Sequence, residues 1–185
     1  MKLPVNYLIP ANPDNEADYL ARLEQRLQGG TRLMQFKAKG LDEATYRRLA
    51  EKVIVLAHRY DCKVLLTGEL ALVDQLGADG LHLDSKALSA CSARPVALNL
   101  MLAVSGHTLA AMQKGEKLGA DFGVLSPVNY TSAHPDIEPL GWEGLKEVCG
   151  AVSLPIYALG GVSVEDEENA KMAGAAGIAG NKGYW

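Results

Sequence analysis

A glutamine and two lysines alternate along Gln35-Phe36-Lys37-Ala38-Lys39. Residues two apart on an extended strand share a face. An amide and two ammonium groups aimed one way, flanked by Leu33 and Phe36, suit a diphosphate held by charge-assisted hydrogen bonds. The competing reading is a solvated pair of loop lysines. A second group, Ser105-Gly106-His107-Thr108, either wraps an anion ahead of a helix or is a plain cap made by Thr108 or Ser105. A third is the polar run Ser126-Pro-Val-Asn-Tyr-Thr-Ser-Ala-His-Pro-Asp-Ile-Glu-Pro139, with the hydroxyls of Tyr130, Thr131 and Ser132 and the imidazole of His134. It is too long for a mere connector and reads as a lid, against a solvated disordered loop. The fourth is a pair of apolar runs that stop at glycine: Leu154-Pro-Ile-Tyr-Ala-Leu-Gly-Gly-Val162, and Gly174-Ala-Ala-Gly-Ile-Ala-Gly-Asn181. Glycine there lets something approach the backbone closely. It also exposes N–H groups as an anion nest at Gly160, Gly161, Ala179 and Gly180. The plainer alternative is two tight turns that close a sheet.

Other chemistries find no support. No Cys/His/Asp set has tetrahedral metal spacing, and no Gly-x-Ser-x-Gly elbow occurs. A net charge of −4 without a basic tract excludes duplex nucleic acid as an expected partner, while leaving room for a local basic pocket for a phosphorylated small molecule. Cys62, Cys91 and Cys149 are scattered and odd in number, as free thiols in a reducing compartment would be. No signal peptide and no membrane-spanning run is seen, so the expected location is cytoplasmic, with no membrane partner. His82 reads as a satisfied core histidine, and Asp84 as the N-cap of the helix after it.

The elements that position these residues follow from punctuation and periodicity. Strands are expected over 5–9, 32–37, 63–66, 80–83, 96–104, 121–125, 154–162 and 175–179. Helices are expected over 16–28, with Leu20, Leu23 and Leu27 at helical spacing, and over 42–60, capped by Asp42. Shorter ones are expected over 70–76, 86–90, 108–118 and 141–149, and after an N-cap at Ser163. Strands of this apolar kind alternating with helices are parallel, with crossover helices. Eight of them over 1–185 imply one domain, an α/β (β/α)8 barrel. It is small beside the ~250 residues usual for the architecture, with its eighth helix missing or a single turn. The alternative, an open doubly wound sheet, wants a Gly-rich turn after strand one, where the chain has Pro10-Ala11-Asn12-Pro13. Gly77-Ala-Asp-Gly80, Gly119-Ala-Asp-Phe122 and Gly174-Ala-Ala-Gly177 form a faint repeat of the strand–helix unit. Reactive groups in such a barrel sit at the C-terminal ends of the strands.

Taken together, these segments resemble the thiamine phosphate synthase/TenI family along nearly the whole chain. Gln35-Phe36-Lys37-Ala38-Lys39 stands where the family has Gln-x-Arg-x-Lys. Gly77-Ala-Asp-Gly-Leu-His-Leu83, Ser105-Gly-His-Thr108, Ser126-Pro127 with Thr131, and the two Gly-ended strands match its other motifs in order. His134-Pro135 and Pro139-Leu-Gly-Trp142 are similar to TenI-like domains fused behind a Nudix hydrolase. The resemblance implies a barrel that joins a hydroxymethylpyrimidine diphosphate to a thiazole phosphate and releases diphosphate, with Mg²⁺ and basic residues neutralising the leaving group. It implies a phosphorylated small-molecule ligand, and it carries a homodimer and a separate Nudix hydrolase as expected partners. It places Lys37, Lys39, His107 and His134 in catalytic roles. Gln35, Ser105, Thr131, Ser132, Gly160, Gly161, Ala179 and Gly180 bind substrate or phosphate. Departures fall on the metal side. The family's Asn-Asp after strand three is Thr67-Gly68, and its Gly-Gln-x-Asp after strand four is Asp84-Ser85-Lys86-Ala87. Asp84 and Glu69 are then the substitute metal ligands. Two alternatives stand beside the synthase. One is a binding or regulatory module that keeps the phosphate pocket without the metal. The other is a thiazole tautomerase working through His134 or His107, since Pro127 occupies the place of the relatives' catalytic histidine.

Overall fold

The computed structural model describes residues 2–68, 70–132, 135–180 and 185. Eight parallel strands close a barrel in chain order: β1 (Asn6–Leu8), β2 (Leu33–Phe36), β3 (Lys63–Leu66), β4 (Gly80–Leu83), β5 (Met101–Gly106), β6 (Phe122–Leu125), β7 (Ile156–Ala158) and β8 (Gly177–Gly180). The ring shuts where β8 pairs with β1, Tyr7 opposite Ala179. Between the strands run α1 (Glu16–Gln28), α2 (Glu43–His58), α3 (Leu70–Leu76), α4 (Ser85–Ala90), α5 (Leu109–Lys117), α6 (Gly141–Gly150) and α7 (Glu167–Met172). The expected eighth helix falls on residues 181–184, outside the described residues. Trp185 returns to the barrel wall, its ring 4.8 Å from that of Tyr19.

Strand alternation divides the apolar residues into two cores. Met34, Phe36, Leu66, Leu81, Leu102 and Leu125 face outward and pack with the helices. Tyr7, Leu33, Leu65, Ala103, Phe122 and Tyr157 face the lumen. Phe122 stands edge-on to Tyr7 at 4.9 Å and to Tyr157 at 5.2 Å, the arrangement aromatic quadrupoles prefer. Above this plug the same lumen-facing parity delivers the buried polar residues: Gln35 from β2, His82 from β4 and Ser126 just past β6.

Caps start the helices where short polar residues precede them. Asn15, Asp42, Asp84 and Thr108 each accept a hydrogen bond from the backbone N–H three residues on. Ser163 and Asp166 form a reciprocal capping box over a turn of 3₁₀ helix, Val164–Asp166, that leads into α7. The buried stripe of α1 is Tyr19, Leu23 and Leu27, four residues apart; Leu20, expected on it, is only half-buried.

Two strands differ from expectation. β5 begins at Met101 rather than 96, because Leu100 N–H closes a turn onto the Ala97 carbonyl. β7 shrinks to Ile156–Ala158, since Gly160 and Gly161 take φ of 88° and 65° and end the extended chain.

The Gly-Ala-Asp repeat has a structural basis. Asp79 Oδ2 accepts from Val64 N–H at 2.8 Å, and Asp121 Oδ2 accepts from Leu102 N–H at 2.7 Å. Each carboxylate satisfies the amide of the preceding strand at the N-terminal rim, opposite the reactive end. In the third copy Ala176 has no side chain to do this, and only its backbone N–H bonds across, to Ile156.

Candidate active site at the barrel mouth

Side chains gather at the C-terminal ends of the strands in two halves. On the β2–β4 half, Lys37 continues the lumen-facing parity of Gln35 one step past the strand and is half-buried. Burial lowers its ammonium pKa, neighbouring Lys39 lowers it further, and Asp84 opposes both. The Gln35 amide donates at 2.5 Å to Oγ1 of Thr67, one residue past the C-terminal end of β3. Lys39 lies exposed in a turn, its backbone N–H held by Asn12 Oδ1. β2 ends at Phe36, and of the two lysines beyond it Lys37 is half-buried and Lys39 is exposed.

Between the halves stands His82. It is buried, with Nδ1 2.9 Å from Tyr7 Oη and Nε2 2.6 Å from Ser105 Oγ, so the satisfied core histidine expected from its apolar strand is what the fold contains. Burial, and next to it the charge of Lys37, lowers its pKa to about 3, so the ring is neutral. His107, one residue past β5, is half-buried, with Nδ1 2.6 Å from the Ser126 carbonyl. A carbonyl only accepts, so Nδ1 carries the proton in the neutral ring. Thr108 is the cap of α5, which decides the cap question for that turn.

The other half is built from β6, β7 and β8. Ser126 is followed through a cis peptide by Pro127, and Val128 is fully buried. Val128 N–H bonds to the Leu159 carbonyl, Asn129 N–H to Gly160, and Asn129 Nδ2 to Gly161 at 3.3 Å. A Cβ on Gly161 would lie 2.3 Å from the Tyr130 carbonyl oxygen, and one on Gly160 would lie 2.8 Å from Pro127 Cα. The close approach foreseen at these glycines is thus made by the chain itself. Their carbonyls face the loop, and their N–H groups donate to no partner among the described residues. Thr131 lies beside them, its Cγ2 3.6 Å from the Cβ position of Gly160, while Tyr130 and Ser132 are exposed. The base of the long loop is therefore sewn to β7 rather than free to swing as a lid.

β7 and β8 pair with Ala158 opposite Ile178, so Gly160 and Gly180 stand at one rim, each two residues further on. The Gly180 carbonyl accepts from Ile9 N–H, which puts its backbone in the β1 ladder and turns its own amide the same way. Ala179 is buried in the lumen core. His134, Glu69 and Asn181 lie outside the described residues.

Among the described residues the donors do not fit a protein-held Mg²⁺. Asp84 Oδ1 caps α4 by accepting from Ala87 N–H at 2.9 Å, and Asp84 sits in the field of Lys37. Among the described residues no group of three His, Cys, Asp or Glu is placed to hold a metal ion. Sequence reasoning missed Tyr7, Thr67 and Asn129 as partners of the site. Tyr7 had only its parity on an apolar strand to mark it, and Asn129 only its place after Pro127.

A closed parallel (β/α)8 barrel with its polar and glycine-bearing turns collected at the C-terminal rim defines the class. Residues 6–183 match the family described as thiamine monophosphate synthase, and the chain belongs to that family. It is 35% identical over 180 residues to the "Putative thiamine-phosphate synthase 2" of Aquifex aeolicus (strain VF5), covering 97% of each chain. It is 27% identical to the thiamine-phosphate synthase of Methanococcus maripaludis (strain C5), covering 89% of this chain and 80% of that one. In fold it is similar to the thiamine phosphate pyrophosphorylase of Pyrococcus furiosus, with a TM-score of 0.78, 22% identity, and coverage of 96% and 85%.

Proposed function

We propose that the protein acts in thiamine biosynthesis by binding thiazole phosphate at the β7 end of the barrel mouth, with Lys37 facing the diphosphate of a hydroxymethylpyrimidine diphosphate and the exposed Lys39 adding charge beside it. The observation that carries this reading is the pair of Gly160 and Gly161 amides. The Pro127–Tyr130 segment holds them by their carbonyl side, and both lack a partner among the described residues. Successive N–H groups in a turn can hold an anion without a side chain or a metal. Thr131 adds a hydroxyl at its edge, and Ser105 one at the end of β5.

In the synthase reaction the thiazole nitrogen forms a bond to the pyrimidine methylene carbon as the carbon–oxygen bond to diphosphate breaks. The electron pair leaves with the diphosphate. Lys37, held half-buried near Asp84, supplies positive charge where the leaving group gathers negative charge. Family membership and the shared arrangement of motifs support this chemistry. The donor set gives no support to a protein-held Mg²⁺. A binder that has kept the thiazole phosphate half of the site is therefore the second form of the same proposal. An assay with both substrates, with and without Mg²⁺, tests the choice: thiamine phosphate formed with release of diphosphate supports the synthase, and binding of thiazole phosphate without product supports the binder. A tautomerase reading draws on His107, whose ring is oriented at the mouth by the Nδ1 bond to the Ser126 carbonyl. Loss of thiazole isomerisation in His107→Gln would support it, and an unchanged rate would exclude that residue. Among the described residues no helix is long and apolar enough to cross a membrane, and all three cysteines are free, in keeping with the cytoplasm.

A further inference from the structure

We propose that Tyr7, His82 and Ser105 form a one-way hydrogen-bond chain that presents the Ser105 hydroxyl to the barrel mouth as a donor, with Tyr7 and His82 as its positioning residues. The proposal rests on the reading above, in which a phosphorylated ligand enters that mouth, and it assigns the direction of a proton that the heavy atoms alone leave open.

The chain starts at the lumen plug. Tyr7 is 1% exposed, packed among Phe122 and Tyr157, and its hydroxyl meets His82 Nδ1 at 2.9 Å. Either oxygen or nitrogen could carry the shared proton. If Nδ1 donated, the phenolic hydrogen would point into apolar surroundings with no acceptor among the described residues. A buried donor left unmade costs about 1–3 kcal/mol. Tyr7 therefore donates. A neutral imidazole has one N–H, so the ring is the Nε2–H tautomer. Nε2–H then donates to Ser105 Oγ at 2.6 Å. The hydroxyl, with an acceptor lone pair engaged from below, keeps its single hydrogen to give away. Ser105 shares the lumen parity of Met101 and Ala103 but is half-buried at the end of β5, so that hydrogen is available to the mouth. Neutrality is secured at both ends: burial raises the Tyr7 phenol well above its ordinary value and lowers His82 to about 3.

The consequence is selectivity by hydrogen-bond polarity. A hydroxyl free to rotate serves a donor or an acceptor, whereas a hydroxyl held from below favours a ligand atom that brings only lone pairs. A phosphate oxygen or an unprotonated ring nitrogen takes that hydrogen, whereas a ligand N–H is left only the remaining lone pair of Ser105. A merely structural His82 would fill the same volume without fixing this polarity.

Long-range ¹H–¹⁵N NMR on the labelled full chain tests the tautomer, with the His82 signals assigned by their loss in His82→Gln. The expected spectrum at neutral pH is that of the Nε2–H tautomer; an Nδ1–H tautomer overturns the proposal. Tyr7→Phe is expected to abolish the single-tautomer signature and to weaken thiazole phosphate, measured by calorimetry, by about tenfold. Ser105→Ala should cost about as much, with no further loss in the double variant. His82→Gln, which keeps an N–H near the Nε2 position, should retain most of the affinity that His82→Leu loses. Unchanged tautomer and affinity in Tyr7→Phe overturns the chain; should that variant fail to fold, the wild-type spectrum decides alone. An Nε2–H tautomer in a protein that binds no phosphate ester upholds the chain and removes the proposed function. An Nδ1–H tautomer in a protein that binds does the reverse.

Discussion

Lys37 is the lysine of the mouth whose charge state its surroundings shift. Burial first, and then Lys39, lowers the pKa of its ammonium, and Asp84 only partly restores it. Anion binding needs the protonated form, which is lost as pH rises through the lowered value. Affinity for inorganic diphosphate should therefore decline on the alkaline side at a lower pH than an ordinary lysine, of pKa about 10.4, would set. Calorimetry from about pH 7 to 10 checks this, and a flat profile up to the ordinary lysine range would contradict it. Lys37→Ala should weaken diphosphate by about tenfold or more, because a charge-assisted contact is lost. Lys39→Ala should cost less, since the exposed ammonium that it removes also repels Lys37. At this scale the alternation of Gln35 and Lys37 was readable in the sequence, and so was His82 as a satisfied core histidine. Pairing was not readable. Nothing local said that Thr67 would take the Gln35 amide or that Tyr7 would meet His82, because those partners lie 32 and 75 residues apart in the chain.

At the scale of elements, the carboxylates of the Gly-Ala-Asp units and the glycines after β7 do different jobs at opposite rims. Asp121→Ala leaves the Leu102 amide at the N-terminal rim without its side-chain partner. It should lower stability to urea by about 1–3 kcal/mol while leaving phosphate affinity unchanged. A loss of affinity without loss of stability would refute that division. Gly161→Ala strikes the other rim. A side chain there is strained at φ 65° and would meet the Tyr130 carbonyl at 2.3 Å, so the Asn129–Tyr130 segment must move. Thiazole phosphate affinity should fall by more than about tenfold, with the far-ultraviolet circular dichroism preserved. Retained affinity would mean that the segment does not shape the nest. Strand and helix order was legible because Gly, Pro and capping residues punctuate the chain. The start of β5 was not, since the Ala97–Leu100 turn hides in an apolar run. Nor was the anchoring of the long loop, which rests on backbone bonds from Val128 and Asn129 to the turn after β7.

At the scale of the molecule, a chain of net charge −4 concentrates lysine on one side of its mouth and unpartnered amides on the other. The closed ring fixes the distance between the two halves, and eight alternating units were enough to foresee it. Among the described residues no donor set for the metal that the resemblance implies is found, and Asp84 serves α4 as a cap. Removal of divalent ions with a chelator should therefore leave thiazole phosphate affinity within about twofold, since backbone amides need no metal to meet a phosphate. A tenfold loss would show a bound cation in the site. The most direct measurement is a crystal structure of the complex with thiazole phosphate. Phosphate oxygens are expected within hydrogen-bond distance of both the Gly160 and Gly161 amides, with Thr131 beside them. A phosphate bound elsewhere on the barrel, or none at saturating concentration, would contradict it.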